Sequence, residues 1–431
     1  MAILDQLPRL SAYDPGAVGE GGLDPLGLAA VADRIADNLV PGVRARMTHP
    51  RFVTLSAVGA IAYQALHDLS ADEGKTTVDI VFEWMVVEAI VRYPGNGRPE
   101  GLPGNQKALR AKVAGMRLSR RTYLSGPRVF GFTGVYRPLS RDARVLSLDD
   151  LPAQNALHLV KAWERDFKLD GYVDGATGSA GGRLRKDIAD ACVRSLEKAE
   201  CACPPTGQLL RDLSECLAPR EARSKERRVL RDLLLSSDHE IRNELAALLE
   251  ETPSAAQAPQ RELAQALLAK ASVPTRRALQ AAIDYEEAAT ALDNTFRRFL
   301  AHTVQQHGAV ITPAQALTTP GLAALAPKIG GLVRKAIDSV ATLGDDTLAH
   351  DTEHGLSAFQ DKLSAQMFFD ALIARHEQVQ ATKGKLSWLD QIDGDWTVRS
   401  PYRNQSEELY DEIWAHPMRL VTLASLLERV E

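Results

Sequence analysis

The stretch Val78-Asp-Ile-Val-Phe-Glu-Trp-Met-Val-Val-Glu-Ala-Ile-Val-Arg-Tyr93 decides how this chain is read. Ile80, Val81, Trp84, Val87, Val91 and their neighbours leave it apolar on nearly every side, at helical rather than alternating spacing. A helix with no solvent face belongs at the centre of a core. Towards the N-terminus, a helix is predicted over 26–39, with Asp24 as its cap and Pro25 in a permitted first-turn position. Val40-Pro-Gly42 stops it, and a second helix follows over 53–69. Towards the C-terminus, the turn formers between Pro94 and Gly104 mark a boundary. A helix over 106–118 then carries Leu109, Val113 and Met116 on one face. The segment 129–144, a short extended piece Val145–Leu148 and a helix over 152–167 complete a unit of helix-turn-helix or winged-helix size. Pro138 lies inside the segment needed as recognition helix and is expected to kink it.

The glycine-rich stretch 175–182 reads as a loop. Helices recur from 183 to 430, interrupted by an exposed linker over 251–260. Near the end, 386–402 reads as a hairpin around Asp393-Gly394. Its Trp388 and Trp396 are expected to pack on the C-terminal helices, with base stacking as the alternative. The expected organisation is thus mainly α, with two or three helical domains: an N-terminal helical domain over 1–100, a basic helix-turn-helix-like module over 101–174, and a C-terminal helical domain over 183–431 with a short hairpin.

Length and composition agree with an ordinary globular chain. The 431 residues suffice for two or three cores, and 45% hydrophobic and 25% charged residues exclude wholesale disorder and collagen. Four cysteines make no disulfide scaffold. No run of about 18 apolar residues is present, so no membrane contact is expected. The N-terminus has no secretory pattern, and a cytoplasmic location with reduced thiols is the expectation.

The net charge of −5 conceals a block of one sign. From Gly101 to Arg141 stand nine basic residues and no acid: Lys107, Arg110, Lys112, Arg117, Arg120, Arg121, Arg128, Arg137 and Arg141. Cations without carboxylate partners attract phosphate, and Tyr123, Phe130, Phe132 and Tyr136 lie among them as candidate stacking groups. The plainer reading pairs these arginines with acids such as Asp72, Glu73 and Asp142 and buries the aromatics. A second cluster from Arg211 to Arg231 is interleaved with acids and reads as a solvated helix.

Other chemistries find little support. Cys192, Cys201, Cys203 and Cys216 are numerous enough for zinc, but Cys-x-Cys directs its thiolates apart. His350, Glu353 and His354 match an inverted zinc-protease pattern without a third ligand. No phosphate-binding Walker segment, nucleophile elbow or kinase set occurs. No catalytic residue, metal or cofactor is therefore assigned, and an enzyme is the less favoured outcome.

Two stretches carry a resemblance. Asp24-Pro-Leu-Gly-Leu28, Leu39-Val-Pro-Gly-Val-Arg44 and His49-Pro-Arg-Phe52 form one, and Trp414-Ala-His-Pro-Met-Arg-Leu420 before Ser425-Leu-Leu427 forms the other. They are similar to segments of uncharacterised helical proteins from bacterial anti-phage defence islands, encoded beside helicase and nuclease genes. The resemblance covers roughly a tenth of the chain and assigns no residue a role. It implies a non-catalytic subunit that works with a DNA-processing partner, such as a helicase or nuclease, in anti-phage defence; with the basic block, the expected function is a DNA-binding or scaffolding subunit of such a complex. A protein-binding adaptor without nucleic-acid contact and a metal-dependent nuclease are the alternatives.

Overall fold

A computed structural model describes residues 24–94, 101–219, 222–235, 238–404 and 409–431. The protein is mainly helical, with eighteen α-helices and five short strands among the described residues. It forms two compact units. One comprises Met1–Leu39 with Ala258–Met418; the other comprises Val40–Gln257 with Arg419–Glu431.

The second unit is organised around two helices that are buried along their whole length. Every residue of the Arg51–Tyr63 helix is buried, as is every residue from Val78 to Val91 in the Val78–Arg92 helix. A helix without a solvent face needs neighbours on all sides. Helices at Asn105–Val113, Phe132–Asp142, Ala180–Lys198 and Gln208–Leu217 supply them for Val78–Arg92, while Phe132–Asp142 and Ala156–Phe167 pack on Arg51–Tyr63. The expected N-terminal domain over 1–100 is therefore divided after Leu39, and its later part shares one unit with the basic module over 101–174, because residues 40–94 cannot close this core alone. Gly59 leaves room for the Phe82 ring between the two central helices: a Cβ there would stand 2.5 Å from it.

The Phe132–Asp142 helix runs through Pro138. Phe132, Val135, Tyr136 and Leu139 are buried on its inner face, and this packing offsets the missing backbone hydrogen bond. The extended piece near Leu148 forms no sheet, only a bridge between Leu146 and Pro152. The linker expected over 251–260 contains the short turn Ala255–Gln257, on which the last helix, Leu420–Glu428, packs.

In the first unit the 35-residue helix Val273–His307 is the spine, flanked by Leu322–Ala341, Ala29–Leu39 and Gln260–Leu268. The helix expected over 26–39 begins at Ala29, so Asp24 is not its N-cap; its Oδ1 instead accepts from the Leu28 N–H at 2.8 Å in the turn before the helix. The hairpin is present: Leu389–Ile392 pairs antiparallel with Asp395–Val398, and Asp393 and Gly394 take positive φ in a two-residue turn. Val310–Ile311 adds a third strand. Trp388 is buried and stacks on Tyr402 with centroids 4.5 Å apart, so the base-stacking alternative fails for this residue.

Beside Trp388, the buried His376 is locked in one neutral form. Its Nδ1–H donates to the Pro25 carbonyl at 2.9 Å, and its Nε2 accepts from the Trp388 N–H at 3.0 Å. Burial pulls its pKa from the ordinary histidine value down to about 4. Unfolding exposes a more basic imidazole, so this contribution is present above pH 6.5 and is lost as pH falls towards 4. Thermal melts should lose about 3 kcal/mol over that window, and His376→Gln, which keeps one donor and one acceptor, should flatten the loss.

Candidate nucleic-acid interface

Three acids interrupt the apolar Val78–Arg92 helix, and all three are buried: Asp79, Glu83 and Glu88. Buried carboxylates require compensation. The basic segment provides it. Arg117 donates from Nε to both Glu88 oxygens at 3.0 Å and stands 2.9 Å away through Nη2, while the Leu118 N–H donates to the same carboxylate at 2.7 Å. Arg92 completes the Glu88 shell at 2.9 Å. Asp79 takes Arg137 at 3.2 Å and Arg128 at 3.5 Å. Asp150 takes Arg137 at 3.2 Å and Arg141 at 2.9 Å.

Four of the nine cations thus hold the fold. The acids that neutralise them are not Asp72, Glu73 or Asp142. Asp72 accepts from Thr76, Glu73 pairs with Lys75, and Asp142 binds Arg242 and His239. Three of the four aromatic residues are also internal: Tyr123, Phe132 and Tyr136 are buried, which removes them as stacking groups. Phe130 alone among the four is exposed, with the Arg46 guanidinium 4.8 Å over its ring. The segment expected as recognition helix is Phe132–Asp142, and its inward face is core.

Lys107, Arg110, Lys112, Arg120 and Arg121 remain. All five are exposed, and among the described residues none forms an ion pair. Lys107 reaches the Tyr123 carbonyl at 3.4 Å, which places its ammonium beside the Ser119–Tyr123 turn that carries Arg120 and Arg121. Lys112 donates to the Val91 carbonyl at 2.9 Å.

Glu83 is the polar residue that sequence reasoning passed over, because isolated acids scattered through an apolar helix give no motif. It has no cation. Tyr123 donates to it through its hydroxyl at 2.9 Å, and Thr133 donates through N–H at 2.8 Å and Oγ1 at 2.6 Å. Gly131 lies against it so closely that a Cβ would fall 1.9 Å from Oε1. Burial raises its pKa to about 7 against the hydrogen bonds from Thr133 and Tyr123, which lower it.

The remaining candidates occupy structural positions. All four cysteines are buried free thiols, and burial pushes Cys216 up to about 12. The Arg117 Nη2 lies 3.2 Å from Cys201 Sγ. His350 and His354 lie on the Asp346–Leu356 helix with parallel rings 6.4 Å apart. Among the described residues, no three His, Cys, Asp or Glu side chains are grouped to hold a metal ion. In the second basic cluster Arg223 lies over Phe167 and Arg231 pairs with Glu250, whereas Glu226 is buried against Arg51 at 3.0 Å. Arg220 and Glu221 of that cluster lie outside the described residues. The 175–182 loop caps the Ala180–Lys198 helix through Ser179. Comparison with protein-family models, curated proteins and solved structures returns no match.

Two measurements check this sorting. Arg117→Ala strips a buried carboxylate of a two-nitrogen partner and should cost about 2–3 kcal/mol in denaturant unfolding, whereas Arg120→Ala or Arg121→Ala should stay within about 0.5 kcal/mol. The Glu83 contribution runs opposite to that of His376: it is present below pH 4.5 and lost as pH rises to about 7. Glu83→Gln should remove that dependence, about 3 kcal/mol in all, from the unfolding free energy.

Proposed function

We propose that the protein is a non-catalytic nucleic-acid-binding subunit whose phosphate contacts come from Lys107, Arg120 and Arg121, with Arg110 and Lys112 at the margin. One observation carries this reading: five exposed cations stand in a segment without a single acid, and none is neutralised by an ion pair among the described residues. Such groups bind the nucleic-acid backbone rather than its bases, so affinity would be largely independent of sequence and steeply dependent on salt. DNA is the leading ligand. A partner such as a helicase or nuclease would supply the chemistry, in keeping with the resemblance to defence-island proteins. Arg117, Arg128, Arg137 and Arg141 are assigned to the fold instead.

The test is binding of a mixed-sequence DNA duplex and a single-stranded oligonucleotide across a salt series. Arg120→Ala with Arg121→Ala should weaken binding uniformly across sequences and reduce the log-log salt slope by about two, one for each phosphate no longer neutralised. Unchanged affinity and slope in that double variant would remove the assignment.

A further inference from the structure

The Asn105–Val113 helix is inverted with respect to an ordinary surface helix. Its small residues Ala108 and Ala111 face inward towards the Val78–Arg92 helix, and its large apolar residues face out. Leu109 is 36% exposed, Val113 88% and Met116 47%. Close approach to the central helix explains the inward alanines but leaves the outward face without a partner among the described residues. Gly115 ends the helix in the left-handed conformation: its N–H meets the Lys112 carbonyl at 3.1 Å, and the Met116 N–H meets that of Ala111 at 2.9 Å. This Schellman turn carries Met116 back past the helix end.

The charges around this ridge are arranged with equal regularity. At about 100° per residue, Leu109 and Val113 lie about 40° apart, and Lys112 and Arg110 fall about 60° outside them on either side. An aliphatic stripe edged by Arg110 on one side and on the other by Lys112, an exposed residue whose ammonium also donates to the Val91 carbonyl at 2.9 Å, in a segment without acids, is complementary to an amphipathic helix with an aliphatic stripe and acidic edges. We propose that this ridge docks such a helix from a protein partner. A second copy of the chain meeting the ridge face to face would set Arg110 and Lys112 against their own counterparts. Nucleic acid would engage the cations but leave the three aliphatic side chains without an apolar counterpart. The proposal goes beyond the nucleic-acid reading and does not rest on it, since Arg120 and Arg121 are left free for phosphate.

The experiment uses the full chain and a labelled helical peptide of about 18 residues with leucines at i, i+3, i+4 and i+7 between glutamates. A version with lysine for every glutamate and vesicles containing phosphatidylglycerol are run beside it. The acidic peptide should bind and the basic one should not. Leu109→Glu with Val113→Glu should weaken binding at least about tenfold with an unchanged melting curve. Val113→Ser alone, at the most exposed position, should weaken it in the same direction, and Arg110→Glu with Lys112→Glu should abolish the preference for acid. Arg120→Ala with Arg121→Ala should leave peptide binding intact, so this proposal and the nucleic-acid reading fail separately. Absence of acidic-peptide binding, equal binding of both peptides, indifference to the ridge variants, or tighter ridge-dependent binding to vesicles would each overturn the proposal.

Discussion

Carboxylates buried on the Val78–Arg92 helix constrain the whole unit around them. An apolar helix of this length could pack in many rotations, but Asp79 and Glu88 cannot be left without cations in a core. Arg117 satisfies Glu88, and Arg128 and Arg137 satisfy Asp79. These pairs fix the rotation of the helix and the path of the segment 117–141 across it. They also explain why that segment is so basic: part of its charge neutralises the interior. The exposed cations are those for which the core supplies no carboxylate.

Buried groups without a counter-ion set a second constraint, of opposite sign in each unit. Glu83 is surrounded by donors and carries a raised pKa, while His376 is held neutral between a carbonyl and an amide. Each is matched in hydrogen bonding but not in charge. Acid therefore favours the folded state at Glu83 and disfavours it at His376, and the chain gains specificity of packing at both places without a charge pair.

Much of the fold was legible in the residues. The all-round apolar stretch 78–93 marks a central helix and the Asp393-Gly394 pair marks a hairpin; each depends on local periodicity or on backbone conformations that few residues accept. The candidate site was legible only as a charge block. Whether a given arginine faces solvent or a carboxylate depends on residues tens of positions away, as Arg117 with Glu88 and Arg137 with Asp79 show. Leu109, Val113 and Met116 formed a recognisable face, yet their spacing could not tell an inward stripe from an outward one.

Sequence alone determined the helical class, the position of the buried helix, the hairpin and the acid-free basic stretch, because periodicity, turn chemistry and charge are properties of neighbouring residues. Tertiary structure decided that residues 40–257 close with 419–431 into one unit, that four arginines pair with carboxylates and five cations do not among the described residues, and that an apolar ridge faces outward. Those outcomes depend on which distant groups come within a few ångströms, and electrostatic pairing and burial exist only at that range.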